Sequence, residues 1–221
     1  MKLYGARLSP YFERVYLALT LKDAVGEVDY PGIPGGFRSE EFKTYNPIGK
    51  IPALKLDSDR IMPESQVICE YLERRFPEPP LIPADAEGAA QTELVCRLVD
   101  MYLGPALSPF FAAAREGRTA GAEVDDMLAG LYAALDHLEH YMQPGGCRAV
   151  GDDWTLADCA LIPFFFYLGF FKPIYGIIRF GSRARLKAWH ETVSTTDLFA
   201  ESEDAMKRAV QDFMAQQRAD G

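Results

Sequence analysis

The sequence predicts an α/β unit followed by an all-α helical unit. Three observations carry that expectation. Alternating strand and helix patterns fill the chain up to residue 75. A proline cluster, Phe76-Pro77-Glu78-Pro79-Pro80-Leu81-Ile82-Pro83, then puts four prolines into seven residues and forbids a continued helix. From Glu87 onward apolar residues recur at helical spacing.

Taken in order, Lys2 to Ala6 predicts a strand, Tyr11 to Lys22 a helix and Glu27 to Tyr30 a second strand. A loop with Pro31, Gly32, Pro34, Gly35 and Gly36 follows, then a short helix over Ser39 to Tyr45. Two strands, Ala53 to Leu56 and Arg60 to Met62, flank a polar turn over Asp57 to Arg60. A helix from Ser65 to Arg75 closes the unit. The order βαβ, a short helix, then ββα is a thioredoxin-like layout, and its first crossover implies parallel pairing with a right-handed connection. The helical part divides into Ala89 to Arg115, Ala122 to Met142, Thr155 to Phe171, Arg183 to Ser194 and Phe199 to Arg218, with Asp220-Gly221 expected to fray. In the second of these, Met127, Leu128, Leu131, Leu135, Leu138 and Met142 share helical spacing and read as core. The domains are therefore expected at 1–77 and 89–221, joined by a linker over 78–88.

Composition bounds the function. The chain has 221 residues, 48% hydrophobic and 25% charged, as in an ordinary globular protein. Its net charge of −9 argues against nucleic acid and anionic membrane surfaces as partners. Lys50, Arg14 and Arg38 are the cations available for a local anion site. Cys69, Cys96, Cys147 and Cys159 are widely spaced and form no C-x-x-C pattern. His137 and His140 share a helix face but lack further ligands, so no metal site is expected. The N-terminus has no signal-peptide form, and the densest apolar run, Ala160 to Phe171, reads as too short and interrupted to span a bilayer. Together these features predict a cytoplasmic protein.

The stretch from Asn46 to Ser65 is the most informative. Pro52 cannot donate a ladder hydrogen bond, and a proline opening a strand often marks a deliberate backbone shape, sometimes a cis bond. Such a kink leaves Ile51 with backbone groups for an extended peptide ligand. Glu64-Ser65 then sets a hydroxyl at a helix N-terminus, which suits a carboxylate. The plainer reading is a hairpin followed by a helix cap. Upstream, Ser9 sits at an N-cap with Pro10 at N1, both favoured there. Ser9 thus reads either as a cap or as a hydroxyl that stabilises a ligand thiolate at the positive helix end.

Ser9-Pro10-x-x-x-Arg14-Val15, Asn46-Pro47-x-x-Lys50-Ile51-Pro52 and Glu64-Ser65-x-x-Ile68-x-x-Tyr71-Leu72 occur in the order that resembles the cytosolic glutathione transferases. The likeness is greatest to the serine- or cysteine-type branch, including the tau, zeta, omega and related bacterial classes. Gly151 to Asp158 resembles that family's C-terminal helix-capping motif, and Thr155-x-x-Asp158 has capping-box form. The resemblance covers nearly the whole chain and implies glutathione as co-substrate, a hydrophobic electrophile as second substrate, and a homodimer.

It also implies roles. A free thiol has a pKa of about 8.5, so the family needs a donor that favours the thiolate. Ser9 is the expected catalytic donor, with Tyr4 as competitor because other branches use an early tyrosine. Ile51, beside Pro52, would pair with the cysteinyl backbone. Glu64 would hold the γ-glutamyl ammonium and Ser65 its carboxylate. Lys50 would reach the glycyl end or remain a solvated loop lysine, and Arg14 is either structural or part of the anion site. Tyr11, Phe12, Tyr102 and Phe110 are the expected electrophile wall.

Omega-like relatives and bacterial glutathione lyases of aromatic degradation carry cysteine at the Ser9 position. Serine cannot form a mixed disulfide, which points to conjugation, ether cleavage or isomerisation rather than thiol reduction. Arg185 to Trp189 loosely resembles those lyases, and Pro63 before Glu64 is a further departure. A glutathione transferase is the leading expectation. A glutathione-dependent ether lyase or isomerase is the alternative, and a non-catalytic binding protein on the same scaffold is the alternative of another class.

Overall fold

A computed structural model describes residues 1–219, with side chains to residue 216; the expected frayed end, Asp220-Gly221, lies outside the described residues. The chain forms two compact units. One comprises Met1–Leu81 and Asp197–Gly221, the other Ile82–Thr196. The break falls inside the expected linker. The last helix, expected within the helical domain, groups instead with the first unit.

The first unit holds β1 (Lys2–Tyr4), α1 (Pro10–Leu21), β2 (Asp29–Gly32), α2 (Glu40–Tyr45), β3 (Ala53–Lys55), β4 (Ile61–Pro63) and α3 (Ser65–Arg75). The sheet order is β2-β1-β3-β4, with β1 and β2 parallel and the other pairs antiparallel. β1 and β3 are shorter than expected, and β2 and β4 are shifted toward the C-terminus: β1 ends at Tyr4, before Gly5 turns the chain toward α1. β2 includes Pro31 and Gly32, expected in a loop; at the sheet edge a missing proline N–H costs little. Leu3 and Leu54 face one another on one side of the sheet and are fully buried. On the other side Tyr4 and Ala53 pack with Phe42 of α2. Val15 and Leu19 of α1, and Ile68 and Leu72 of α3, are fully buried at a four-residue repeat, and the two helices pack together.

The linker is fastened to this unit by one buried lysine. Lys22 Nζ donates to the carbonyls of Phe76 (2.7 Å) and Pro79 (2.9 Å) and pairs with Glu73 at 2.7 Å. Glu73 in turn accepts from Leu81 N at 3.0 Å. The chain end returns to the same unit. In α9 (Asp197–Ala219), Ser202 is buried and its hydroxyl donates 2.7 Å to Glu13 of α1. Glu13 is fully buried and also accepts from Arg7 Nε at 2.8 Å and Nη2 at 2.6 Å.

The helical unit contains α4 (Ala86–Leu98), α5 (Gly104–Arg115), α6 (Ala122–Tyr141), α7 (Leu156–Tyr175) and α8 (Ala184–Val193). The single helix expected over Ala89 to Arg115 is divided by a π-turn at Val99–Leu103. Pro105 has no N–H for the carbonyl four residues back, and the Gly104 N–H donates to the Val99 carbonyl, five back. In α6, Leu131, Leu135, Leu138 and the following Met142 are buried, as their spacing predicted; Met127 and Leu128 are half-buried.

α7 is longer than its predicted span, and the expectation drawn from Ala160 to Phe171 needs correction. Leu156–Tyr175 and the combined stretch Ala86–Arg115 are long and apolar enough to cross a membrane. α7 is buried along most of its length as the centre of this unit, as expected of a helix apolar on all sides.

Its start is the expected capping box, with Thr155 as N-cap and Asp158 at N3. The buried Asp158 carboxylate accepts from four donors: Ala149 N (2.8 Å), Thr155 N (3.0 Å), Thr155 Oγ1 (3.0 Å) and Trp189 Nε1 (2.9 Å). Burial pushes its pKa up while these donors pull it down; burial dominates. α6 and α8 cap one another. Glu139 accepts from the N–H groups of Arg185 and Leu186, each at 3.0 Å, while Arg185 Nη1 donates to the carbonyls of Glu139, His140 and Met142.

His190 lies among the rings of Phe165, Phe180 and Trp189. Desolvation, helped by nearby Arg179, lowers its pKa from 6.5 to about 4. Between those values the unfolded chain binds a proton that the folded chain refuses, so stability falls as pH drops through this window. Melting of wild type and His190→Gln across pH 7 to 4 is expected to show the steeper acid loss in wild type. Parallel curves would show that His190 titrates alike in both states.

Candidate active site

Strand register brings the three informative segments to one end of the sheet. Tyr4 of β1 pairs with Ala53 of β3, and Ala53 pairs with Pro63 of β4. Ser9 follows Tyr4 by a short loop, Ile51-Pro52 directly precedes Ala53, and Glu64-Ser65 directly follows Pro63.

The loop after Tyr4 requires Gly5. Its φ is +150°, and a Cβ there would lie 2.3 Å from Phe12 Cδ2, so only glycine lets the loop close onto α1. Ser9 then adopts the extended conformation of an N-cap, with φ −85° and ψ 124°, and Pro10 occupies the first turn. Ser9 Oγ accepts from Phe12 N at 3.4 Å. An oxygen that accepts from the helix still carries its own proton, which is available to an anion in front of the helix. Ser9 is buried, with 8% of the residue exposed, and lies at the positive end of a 12-residue helix.

The second segment is held by Asn46, which is 2% exposed. Its Nδ2 donates to the Lys50 carbonyl at 2.7 Å, and its Oδ1 accepts from Ile48 N at 3.3 Å. This local lock presents Lys50, exposed to solvent, and the Ile51-Pro52 peptide, which is cis. The Ile51 side chain is half-buried against the Tyr4–Phe42–Ala53 cluster.

The third segment carries a backbone outlier. Glu64 has φ +70° and ψ 112°, a region costly for a non-glycine residue by about 1–3 kcal/mol and concentrated at ligand-binding sites. The turn leaves Glu64 exposed and places Ser65, 5% exposed, at the first position of α3. The fully buried Arg14 donates from Nη1 to Ser65 Oγ at 3.3 Å. Arg14 of α1 is thus linked to the first residue of α3. A cavity of about 310 Å³ adjoins Glu64, lined by Leu56, Arg60, Ile61, Met62, Pro63 and Val67 besides Glu64 itself.

Ser9, Lys50, Ile51, Pro52, Glu64 and Ser65 all belong to these three segments. The expected aromatic wall divides differently. Tyr11 is half-buried, with the Arg14 guanidinium 5.7 Å from its ring centre. Phe12 is 3% exposed and packs against Gly5. In the helical unit Phe110 has no exposed surface and lies against Phe171 and Tyr175. Phe12 and Phe110 are core side chains, so Tyr11 and Tyr102 remain the accessible members. Tyr102, 49% exposed at the π-turn, makes an edge contact with His137. The competing thiol donor, Tyr4, is 6% exposed and packs its ring against Phe42 and Tyr45 on the α2 side of the sheet.

Both units of the chain are similar to known proteins. Residues 3–80 match the glutathione S-transferase N-terminal domain, and residues 121–192 match the C-terminal domain. Glutathione S-transferase Z2 of Arabidopsis thaliana is 32% identical over 172 residues, covering 74% of each chain. Maleylacetoacetate isomerase of Mus musculus is 32% identical, covering 73% of this chain and 74% of that one. Among solved structures, maleyl pyruvate isomerase, a bacterial zeta-class glutathione S-transferase, superposes with a TM-score of 0.73 at 25% identity. That match covers 91% of this chain and 96% of the other.

Proposed function

Because the chain belongs to the glutathione S-transferase family, in its zeta-like branch, we propose that it is a glutathione transferase in which Ser9 activates the thiol. The observation that carries this reading is the register Tyr4–Ala53–Pro63. It gathers a capping hydroxyl, an extended peptide edge and a second helix N-terminus at one end of a sheet. Glutathione is an extended peptide with a thiol in its middle and charges at both ends, and these groups suit it in that order.

In this reading Ile51 pairs with the cysteinyl backbone. Ser65 donates to the γ-glutamyl carboxylate, and Glu64 accepts from the γ-glutamyl ammonium. Lys50 faces the glycyl carboxylate. The Ser9 hydroxyl, with the α1 N-terminus behind it, stabilises the thiolate over the thiol. The electrophile is hydrophobic and carries an aromatic or conjugated system, with Tyr11 as the wall nearest Ser9. The protein acts as a homodimer in the cytoplasm, a reducing compartment that suits its four free cysteines.

The likeness to maleylacetoacetate isomerases favours a second reading of the same site. A thiolate that adds to a conjugated double bond leaves a single bond free to rotate. The electron pair displaced by this addition is held in the conjugated system, and its return expels the thiolate, restores the double bond in the other geometry and regenerates the thiolate for another turn. Conjugation and isomerisation share the first step and the same serine.

Calorimetry with glutathione at neutral pH tests the common premise. Wild type is expected to bind, and Ser65→Ala to bind about tenfold or more weakly, through loss of a hydrogen bond to a charged group. Absence of wild-type binding at millimolar glutathione would overturn the proposal.

A further inference from the structure

We propose that Arg14 is a positioning residue that locks Ser65 as a hydrogen-bond donor, so that the site selects a γ-glutamyl end with a free carboxylate. The inference rests on the reading above that this end of glutathione meets Ser65.

A guanidinium donates and never accepts, and it stays protonated at any working pH. With Arg14 Nη1 3.3 Å from Ser65 Oγ, the hydroxyl oxygen is engaged as an acceptor and its proton must point elsewhere. Burial makes the arrangement durable: Arg14 has no exposed surface and Ser65 only 5%, so water has little access to exchange for the guanidinium. Ser65 also stands at the first position of α3, where the helix end adds its own positive field. A hydroxyl held in this way offers a proton to the ligand in a positive surrounding. A carboxylate answers both features. An amide carbonyl answers only the hydrogen bond, and an ammonium answers neither.

Arg14 acts through Ser65 rather than by touching the ligand. A purely structural role would weaken all ligands alike, whereas a positioning role changes the preference between them. The test is calorimetry with two ligands, glutathione and glutathione amidated at the γ-glutamyl α-carboxyl group. Wild type, Ser65→Ala and Arg14→Met are compared, with circular dichroism to confirm folding.

Wild type is expected to prefer the carboxylate by about tenfold or more, since charge-assisted hydrogen bonds are about twice as strong as neutral ones. Both variants are expected to shrink that preference toward unity. A wild type that binds both ligands equally overturns the inference. So does a Ser65→Ala protein that keeps the full preference, because the discrimination would then not pass through Ser65. Preference retained in Arg14→Met overturns it as well. Should Arg14→Met not fold, Arg14→Gln takes its place: its amide can accept from Ser65 as well as donate to it, so the preference is expected to shrink there too, and its retention overturns the inference. Failure of wild type to bind unmodified glutathione strikes the functional reading instead and is distinguishable from all of these.

Discussion

Ser9→Ala is expected to lower kcat with a reactive electrophile by about 100-fold, the scale of losing one preorganised donor to a developing or stored anion. The KM for glutathione is expected to change little, because Lys50, Ile51, Glu64 and Ser65 remain. The thiol of the bound glutathione should titrate back toward its free value of about 8.5. Stability separates this chemistry from capping. Alanine at an N-cap costs about 1 kcal/mol, a loss of a few degrees in melting temperature. Ser9→Asp restores a good cap but places a like charge beside the thiolate and offers it no proton. Its stability should recover while its turnover does not. Full activity in Ser9→Ala would reduce Ser9 to a cap and reopen the search for the thiol donor.

The largest expected effect on stability lies in the other unit. Asp158→Ala orphans four donors at once, from Ala149, Thr155 and Trp189. Each buried unsatisfied donor carries a penalty of about 1–3 kcal/mol, softened where local relaxation admits water. A net loss of about 3–5 kcal/mol is expected, seen as a melting temperature lower by about 10 °C for a chain of this size. Thr155→Val, which removes one of the four donors rather than their shared acceptor, should cost far less. A melting temperature for Asp158→Ala within about 2 °C of wild type would mean that water satisfies those donors and that the box is not what secures α7.

What the sequence made legible is what local chemistry determines. Ser9 could be placed at a helix start because an N-cap hydroxyl and a following proline act within one turn. Thr155 and Asp158 could be paired because a capping box spans only three residues. The Asn46–Ser65 stretch showed its hairpin through Pro52 and the turn before Arg60. The misses are contacts that only tertiary structure creates. Arg14 and Ser65 lie 51 positions apart, and Glu13 and Ser202 lie 189 apart, beyond any local pattern. The π-turn at Val99–Leu103 lay inside one expected helix, because the apolar spacing runs on through Pro105 and carries no mark of the extra residue. Phe12 and Phe110 were placed at a surface by residue type, and packing put them inside. Asn46 opens the Asn46-to-Pro52 motif, yet its work as a loop lock depends on side-chain hydrogen bonds that composition does not reveal.

The bond from Ser202 to Glu13 bears on how the protein is made. Synthesis delivers Arg7, Ser9 and Glu13 before α9, with the whole helical unit between them. Until α9 has left the ribosome, the carboxylate of Glu13 lacks the Ser202 hydroxyl and keeps only its two bonds from Arg7. The unit that carries Ser9 is therefore begun before the helical unit and completed after it. A nascent chain stopped after Thr196 would hold every residue assigned to the site and still leave the helix that bears Ser9 unclosed.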